Sequence, residues 1–185
     1  MQGSSSGRSK VRSALRQATA AIHDRLHQAP AFVAIADQQL DIAGYTELLA
    51  RIASFHLTVG QYSESGNLRA QLLARDLKVL GSPAPECRHW SFPRTRLGNL
   101  GLTYVVEGSS LGGKVIYQQL DYLFGNSAAG RRFFRGSTSD GLRWQALCRR
   151  LEEEGQTPFA VHEMISGATA AFALFEQTVV RGEPA

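Results

Sequence analysis

The chain has 185 residues, 43% of them hydrophobic, and a formal net charge of +4. This length suits one domain with a substantial core. The excess of basic residues is milder than in most nucleic-acid-binding domains, and the sequence shows no helix-turn-helix, zinc-finger or RNA-binding signature. We therefore expect no nucleic-acid partner, and instead an anionic small ligand or an acidic protein partner.

The sequence predicts a cytoplasmic protein without a membrane partner. No apolar run approaches the roughly 20 residues of a membrane span, and the N-terminus has no apolar signal core. Cys87 and Cys148 lie far apart and outside any C-x-x-C pattern, so they indicate neither a zinc site nor a disulfide framework. Residues 1–9 are rich in glycine and serine and are predicted to be disordered, ahead of one domain that spans residues 10–185.

The first predicted element is an amphipathic helix from Val11 to Leu26, because its apolar residues recur every three or four positions. Beside the apolar stripe runs a second line at the same spacing, which consists of Arg12, Arg16, Thr19, His23 and His27. Arg16 and His23 are two turns apart, about 10 Å along the helix axis. This spacing matches the distance from the centre of a flat macrocycle to a carboxylate on its rim. The alternative is that His23 is a boundary histidine hydrogen bonded to a neighbour.

The rest of the scaffold is predicted to be helical as well. Asp41 is a suitable N-cap, and Thr157 followed by Pro158 is typical of a helix start. Apolar spacing predicts three helices, Gly44–Gly60, Leu68–Leu80 and Phe159–Val180, with a loop that ends at Pro93 after the second. Further predicted core residues are Phe133, Phe134, Trp144, Leu147 and Leu151, and Trp144 is most simply a packing residue.

A predicted helix from about Arg94 to Phe124 contains the most unusual stretch of the chain. Gly101, Tyr104, Gly108 and Gly112 recur at intervals of three and four residues and therefore share one face. Each glycine inside a helix costs about 1 kcal/mol relative to alanine. We therefore expect something to approach this backbone closely.

Three interpretations of these glycines compete. Gly108 to Gly112 fits the nucleophile elbow of serine hydrolases, with Ser110 as the nucleophile and with Asp140 and His162 in the expected chain order. Gly108 to Lys114 also fits a phosphate loop. Both motifs depend on a parallel sheet, whereas the sequence predicts one short strand at most. The third interpretation is a glycine-bent helix against a flat ligand, which needs no sheet.

Two motifs carry a resemblance to a known family. The first is Leu15-Arg16-x-Ala18-Thr19-x-x-x-His23-x-x-Leu26, and the second is Leu102-x-Tyr104-Val105-Val106-Glu107-Gly108-Ser109-x-Leu111-Gly112-Gly113-Lys114-Val115-Ile116. In this order, and in an all-helical chain of this length, they resemble the haem oxygenases, in particular the bacterial branch associated with bacteriophytochromes. Weaker matches extend over nearly everything after Ser9.

The resemblance implies an all-α fold, a single-domain helical bundle that holds haem between a proximal helix and a glycine-bent distal helix. His23 would ligate the iron, and Arg16 would pair with a haem propionate. Gly108 and Gly112 would let the distal backbone lie over the iron, where dioxygen binds. The resemblance also implies that Ser109 belongs to the catalytic group on the distal helix, together with Gly108 and Gly112. Thr19, Tyr104 and Gly113 would contact the haem.

The resemblance also implies an activity, the oxidative cleavage of haem to biliverdin, carbon monoxide and ferrous iron. Haem would be substrate and cofactor, and electrons would come from a redox donor such as ferredoxin or a ferredoxin or flavin reductase. A bacteriophytochrome would be a candidate receiver of the biliverdin. Many relatives carry an aspartate after the first distal glycine, where it organises water. This chain has Ser109 there, so Ser109, Ser110 or another group would have to anchor that water.

Two other functions remain open at this point. A haem carrier or sensor with the same fold would bind haem through His23 and leave it intact. A serine hydrolase would use Ser110 and ignore haem. If His23 were not the iron ligand, His27 would be the next candidate.

Overall fold

Periodic apolar residues form helices throughout the described part of the chain. The structure, a computed structural model, describes residues 10–83, 85–92 and 95–181, and this part contains no strand. The helices are α1 (Lys10–His27), α2 (Pro30–Ala36), α3 (Ile42–Gly60), α4 (Glu64–Val79), α5 (Arg96–Gln119), α6 (Asp121–Phe124), α7 (Arg132–Arg135), α8 (Asp140–Glu154) and α9 (Pro158–Phe175), which continues as a π-helical segment, Glu176–Arg181. The predicted all-α class is therefore confirmed.

Capping side chains set the starts of three helices. At α3 the Asp41 carboxylate accepts a hydrogen bond from the backbone N–H of Gly44 at 2.8 Å. At α9 the Thr157 hydroxyl accepts one from a backbone N–H of the first turn at 3.1 Å, and at α5 Thr95 accepts one from Gly98 at 2.9 Å. These caps satisfy N–H groups that have no partner inside the helix. The predicted caps Asp41 and Thr157 are confirmed.

The predicted helix from Arg94 to Phe124 is observed as two elements, α5 and α6, which are separated at Leu120. Helix α5 remains α-helical through Gly108 and Gly112, so neither glycine lies in a loop. Its predicted bend stays a prediction. Arg94 lies outside the described residues, as do residues 1–9 and their predicted disorder.

Helix α9 is the central helix of the bundle. It packs against α5, α1 and α3, and its fully buried residues include Met164, Ala168 and Ala171. By length and composition alone, the helical stretch Pro158–Arg181, with a mean hydropathy of 1.2, could cross a membrane. Of its most apolar window, 33% is buried inside the protein, and a single helix of this kind is weak evidence for a membrane span.

Two glycines let α5 and α9 approach each other at backbone distance. A Cβ atom at Gly101 would overlap the carbonyl oxygen of Met164, and one at Gly167 would overlap the carbonyl oxygen of Gly98. Any larger residue at these positions would push the two helix axes apart. For Gly101, the feature that approaches the backbone is therefore a neighbouring helix.

Candidate functional site

His23 presents its ring at the surface of α1. The side chain keeps 57% of its surface exposed, and its Nδ1 lies 3.9 Å from Oδ1 of Asp24. The ring makes edge contacts with His27, at 4.6 Å between centroids, and with Phe172 of α9, at 6.3 Å. Partial burial, followed by the neighbouring His27, lowers the pKa of His23 from its ordinary value of 6.5. At neutral pH the imidazole is therefore mainly neutral, the state in which it can ligate a metal.

The positive charge of Arg16, on α1, acts on Tyr104 of α5. Tyr104 is half-buried, and this burial raises the pKa of its phenol, while the positive charge of Arg16 opposes the rise. Arg16 also contributes to the lowered pKa of His23. Its guanidinium is therefore within electrostatic range of both residues. The charge of Arg16 thus acts on one residue of α1 and on one residue of α5.

Thr19 occupies the same line of α1 but is turned inwards. Its side chain is 3% exposed, and its hydroxyl donates a hydrogen bond to the carbonyl oxygen of Leu15 at 2.8 Å. A threonine that bonds the carbonyl four residues earlier satisfies its own polar group within the helix. Thr19 therefore supports the shape of α1 between Arg16 and His23, and its hydroxyl already has a partner.

One face of α5 is open at its centre. A Cβ atom at Gly112 would meet no heavy atom within 4 Å, and one at Gly108 would meet only the indole of Trp144, at 3.5 Å. Leu111 and Val115 lie on the same face and are 49% and 57% exposed. Helix α1 does not fill this space, because it packs mainly on α9 and α8. The open face is therefore apolar, glycine-lined and accessible to a flat ligand.

Trp144 borders the open face. The sequence pattern did not predict this position. Its ring lies 5.5 Å from the ring of Tyr104 and also covers Gly108. In sequence, Trp144, Leu147 and Leu151 share one helical stripe, so core packing was the natural prediction. Trp144 does pack, but the residues that it packs against are predicted site residues.

Ser109 is exposed at the surface of α5, whereas Gly113 faces α7. The Ser109 hydroxyl donates to the carbonyl oxygen of Val106 at 2.7 Å. A Cβ atom at Gly113 would lie 3.0 Å from the carbonyl oxygen of Phe134. Gly113 thus allows α5 to pack against α7, and the structure does not bring it to the same surface as Gly108.

Ser110 lies inside helix α5 and is buried. Its hydroxyl donates to the carbonyl oxygen of Glu107 at 2.6 Å. A nucleophile elbow requires a turn between a strand and a helix, and a phosphate loop requires the same setting. Both are missing from the described residues around Ser110 and Lys114. The serine-hydrolase interpretation therefore lacks its structural basis.

A buried ion cluster lies beside the open face, and no sequence motif predicted it. Glu107 of α5 is 2% exposed and lies 3.3 Å from both Nη2 of Arg69 and Nε of Arg143, while Ser65 donates to it at 2.5 Å. Asp140 pairs with Arg143 and lies 3.7 Å from Arg69. Since α4, α5 and α8 all contribute charged groups, these five residues, here called the Glu107 cluster, fix helix α5 against two neighbours.

Two cavities are lined by residues other than the predicted haem contacts. The larger is about 270 Å³, adjoins the Glu107 cluster and is lined by Ser65, Leu68, Arg69, Gln71, Leu72, Arg75, Glu107, Gly136, Ser137, Asp140 and Arg143. The smaller is about 150 Å³ and lies between α2, α3 and the π-helical segment. His23, Tyr104 and Gly112 line neither of them. These three predicted site residues therefore belong to neither cavity.

The residues present fit a haem. In the described part of the chain, no three His, Cys, Asp or Glu side chains converge on one point. A haem iron needs only one or two protein ligands, because the macrocycle supplies the other four. His23 offers that donor, Arg16 offers a partner for a carboxylate, and the open face offers an apolar surface without a Cβ atom at Gly112.

Comparisons with known proteins concern the sequence and the fold of the chain as a whole. No family model matches the chain. A curated protein named heme oxygenase, from Xanthomonas campestris, is 32% identical over 116 residues, which is 58% of this chain and 64% of the relative. The match thus spans slightly less than two thirds of that relative.

The fold also matches a solved structure. The heme oxygenase of Neisseria meningitidis, crystallised with NO and with CO bound, superposes with a TM-score of 0.69 at 24% identity, over 95% of this chain and 94% of the other. At this identity the likeness concerns the fold. The match in sequence and the match in fold together confirm the resemblance to the haem oxygenase family, and the chain has the fold of that family.

Proposed function

We propose that the chain is a haem oxygenase, which cleaves haem to biliverdin, carbon monoxide and ferrous iron with dioxygen and external electrons. The observation that carries this proposal is the open, glycine-lined face of α5 within a haem oxygenase fold. An exposed apolar surface of this kind is otherwise unfavourable in water. A haem would cover it.

In this proposal, helix α1 holds the haem from the proximal side. His23 ligates the iron through its neutral imidazole. Arg16 pairs with a propionate, since a guanidinium makes charge-assisted hydrogen bonds to carboxylates. Tyr104 lies within range of the same guanidinium, and its phenol stays protonated because burial raises its pKa. It can therefore donate a hydrogen bond to the same carboxylate.

The distal side supplies close approach and exclusion of water. Gly108 and Gly112 let the helix backbone lie against the macrocycle, because neither presents a side chain. Leu111 and Val115 add apolar surface at its edge. Ser109 is the better of the two serines for anchoring a distal water, because it is exposed, whereas Ser110 is buried. Its hydroxyl donates to the carbonyl of Val106 and keeps free lone pairs that can accept from water.

Bound haem would supply both the macrocycle that is opened and the iron centre at which dioxygen is activated. Electrons would come from ferredoxin or a ferredoxin or flavin reductase, in the cytoplasm, and an acidic donor would suit the net charge of +4. A bacteriophytochrome is the proposed receiver of biliverdin. The protein's own part is to bind, to orient and to exclude solvent.

An optical titration tests the activity. Hemin is added to the purified chain, and ascorbate or reduced ferredoxin is then supplied in air. We expect a Soret band that forms at one equivalent and then decays into biliverdin absorption. A Soret band that persists after reduction would instead identify a haem carrier or sensor, and the absence of any Soret band would refute haem binding altogether.

Replacement of the ligand tests the assignment of His23. We expect His23→Ala to lose the normal Soret spectrum and turnover, because the imidazole proposed to ligate the iron is removed. His162→Ala is the matched control, since His162 is an exposed histidine on α9. If His23→Ala kept a normal spectrum and turnover, the assignment would be wrong, and His27→Ala would be the next variant to measure.

A further inference from the structure

Helix α1 ends with two imidazoles one turn apart. His23 and His27 are both exposed, and their ring centroids are 4.6 Å apart. Residues four apart on a helix lie on the same face, so both side chains can reach one ion. His27 is the last residue of α1, where the negative end of the helix dipole favours a cation.

We propose that this histidine pair, His23 and His27, binds a divalent first-row transition cation such as Zn²⁺ or Ni²⁺ in the haem-free protein. Imidazole is a preferred ligand of both ions. In the described part of the chain no third His, Cys, Asp or Glu joins a group with them, so water completes the coordination sphere. Because His23 belongs to both sites, the cation and haem compete for it.

The charges around the pair are compatible with a cation. Asp24 places a carboxylate oxygen 3.9 Å from Nδ1 of His23. Arg25 is engaged elsewhere, since its Nε donates to Glu176 at 2.9 Å. Arg16 is the nearby positive charge that acts on His23 and opposes the cation. Both rings are exposed and can rotate, so the edge contact between them does not prevent both from turning a nitrogen to one ion.

The pair has a consequence that rests on the proposed function. Cleavage of haem would leave ferrous iron beside His23, and His27 would offer this ion a second imidazole. Ferrous iron binds nitrogen ligands more weakly than Ni²⁺ or Zn²⁺ does. The pair would therefore hold the product iron briefly and release it to water, which would free His23 for the next haem.

Calorimetric titration of the haem-free full chain with nickel chloride and with zinc chloride tests the pair. We expect the wild type to bind one equivalent of cation. The affinity of His27→Ala for the cation should be lower by about tenfold or more, because the chelate loses one of two ligands. His89→Ala is the control, since His89 is exposed and lies near the exposed Cys87. A wild type that binds neither ion, a His27→Ala variant that binds like the wild type, or a loss of binding in His89→Ala would each overturn the proposal.

Haem uptake with and without zinc separates this inference from the proposed function. In the wild type, we expect saturating zinc to slow formation of the Soret band several-fold, and in His27→Ala we expect a much smaller effect. Zinc binding that depends on His27 in a chain that never binds haem would refute the proposed function and leave the pair intact. Haem uptake that depends on His23 but is insensitive to zinc would refute the pair instead.

Discussion

The first third and the centre of helix α5 both carry glycines, and the surroundings of those glycines differ. At Gly101 the backbone of α9 occupies the place of a Cβ atom, whereas at Gly112 no heavy atom lies within 4 Å of that place. Both glycines lie on the same helical face and carry the same helix-propensity penalty of about 1 kcal/mol. The difference is that packing with a neighbouring helix offsets the penalty at Gly101, while within the described chain nothing offsets it at Gly112.

At the centre of α5, one side of the helix is packed against neighbouring helices and the other side is open. Glu107 is buried among three charged side chains, while Gly108, next to it in sequence, lies on the open face and meets one indole. A packed side that holds the helix in place and an open side that lacks a partner are what a ligand-binding helix requires. Changes on the packed side should therefore affect stability, and changes on the open side should affect ligand binding.

The largest effect is expected for Glu107→Ala. Removal of this carboxylate leaves Arg69, whose side chain is 4% exposed, with only the more distant Asp140, at 3.7 Å, as an ion partner. Breaking a buried ion pair on one side costs about 3–5 kcal/mol. Urea denaturation measures the free energy of unfolding. Glu47→Ala, which removes the acid of an exposed pair with Arg51, is the matched control and should change stability by less than about 1 kcal/mol. Equal losses in the two variants would contradict the assignment of the Glu107 cluster as an anchor.

Gly101→Ala should follow, with a loss of about 3 kcal/mol, because the added methyl group overlaps the carbonyl oxygen of Met164 and forces a backbone shift. Gly141→Ala is the control, since Gly141 lies in α8 with open space around it. Thermal unfolding of both variants compares them directly. If Gly101→Ala unfolded at the wild-type temperature, the close approach of α5 and α9 would be disproved.

Local sequence patterns predicted the helices and their starts. Asp41 and Thr157 act as caps through hydrogen bonds within their own first turns, so the information lies in a few adjacent residues. The apolar spacing from Val11 to Leu26 likewise predicted α1, which extends from Lys10 to His27. These features depend on short-range geometry, and a sequence records short-range geometry well.

Features that depend on three elements at once could not be predicted in this way. Glu107 interrupts an apolar run, but its partners come from α4 and α8, and no spacing in the sequence connects them. Gly101 and Gly112 share a face, and the sequence does not tell where α9 stops covering that face. Gly113 was assigned by its place in a motif, although at 100° per residue it lies about 140° from Gly108 around the helix.

A pH-dependent effect is expected from His56, a buried residue of α3. The ring is 1% exposed, contacts Phe55 and Phe133, and has an Nδ1 without a hydrogen-bond partner in the described chain. Burial, with the charge of Arg69, lowers the pKa of His56 from 6.5 to about 3. Between these values the unfolded state binds a proton that the folded state does not, so stability falls as the pH falls, by up to about 1.4 kcal/mol per pH unit.

Replacement of His56 isolates this contribution. We expect His56→Leu to flatten the pH dependence of the unfolding free energy below pH 6.5, and to leave it unchanged above. Denaturation curves at several pH values between 4 and 8 measure the difference between the two proteins, in which the other titrating groups cancel. If the unfolding free energies of wild type and variant changed with pH in parallel, His56 would have the same pKa in the folded and the unfolded state, and the prediction would be wrong.

The smallest change in stability is expected on the open side, at Gly112. Gly112→Ala should raise the free energy of unfolding by up to about 1 kcal/mol, because alanine favours the helix and its methyl group meets no neighbour. Gly112→Leu should also fold, yet it should weaken haem binding by about tenfold or more, since its side chain occupies the surface on which the macrocycle would lie. Soret titration and thermal unfolding of the same samples measure both quantities. A Gly112→Leu protein that lost stability and bound haem normally would reverse the comparison and make this glycine a packing residue like Gly101.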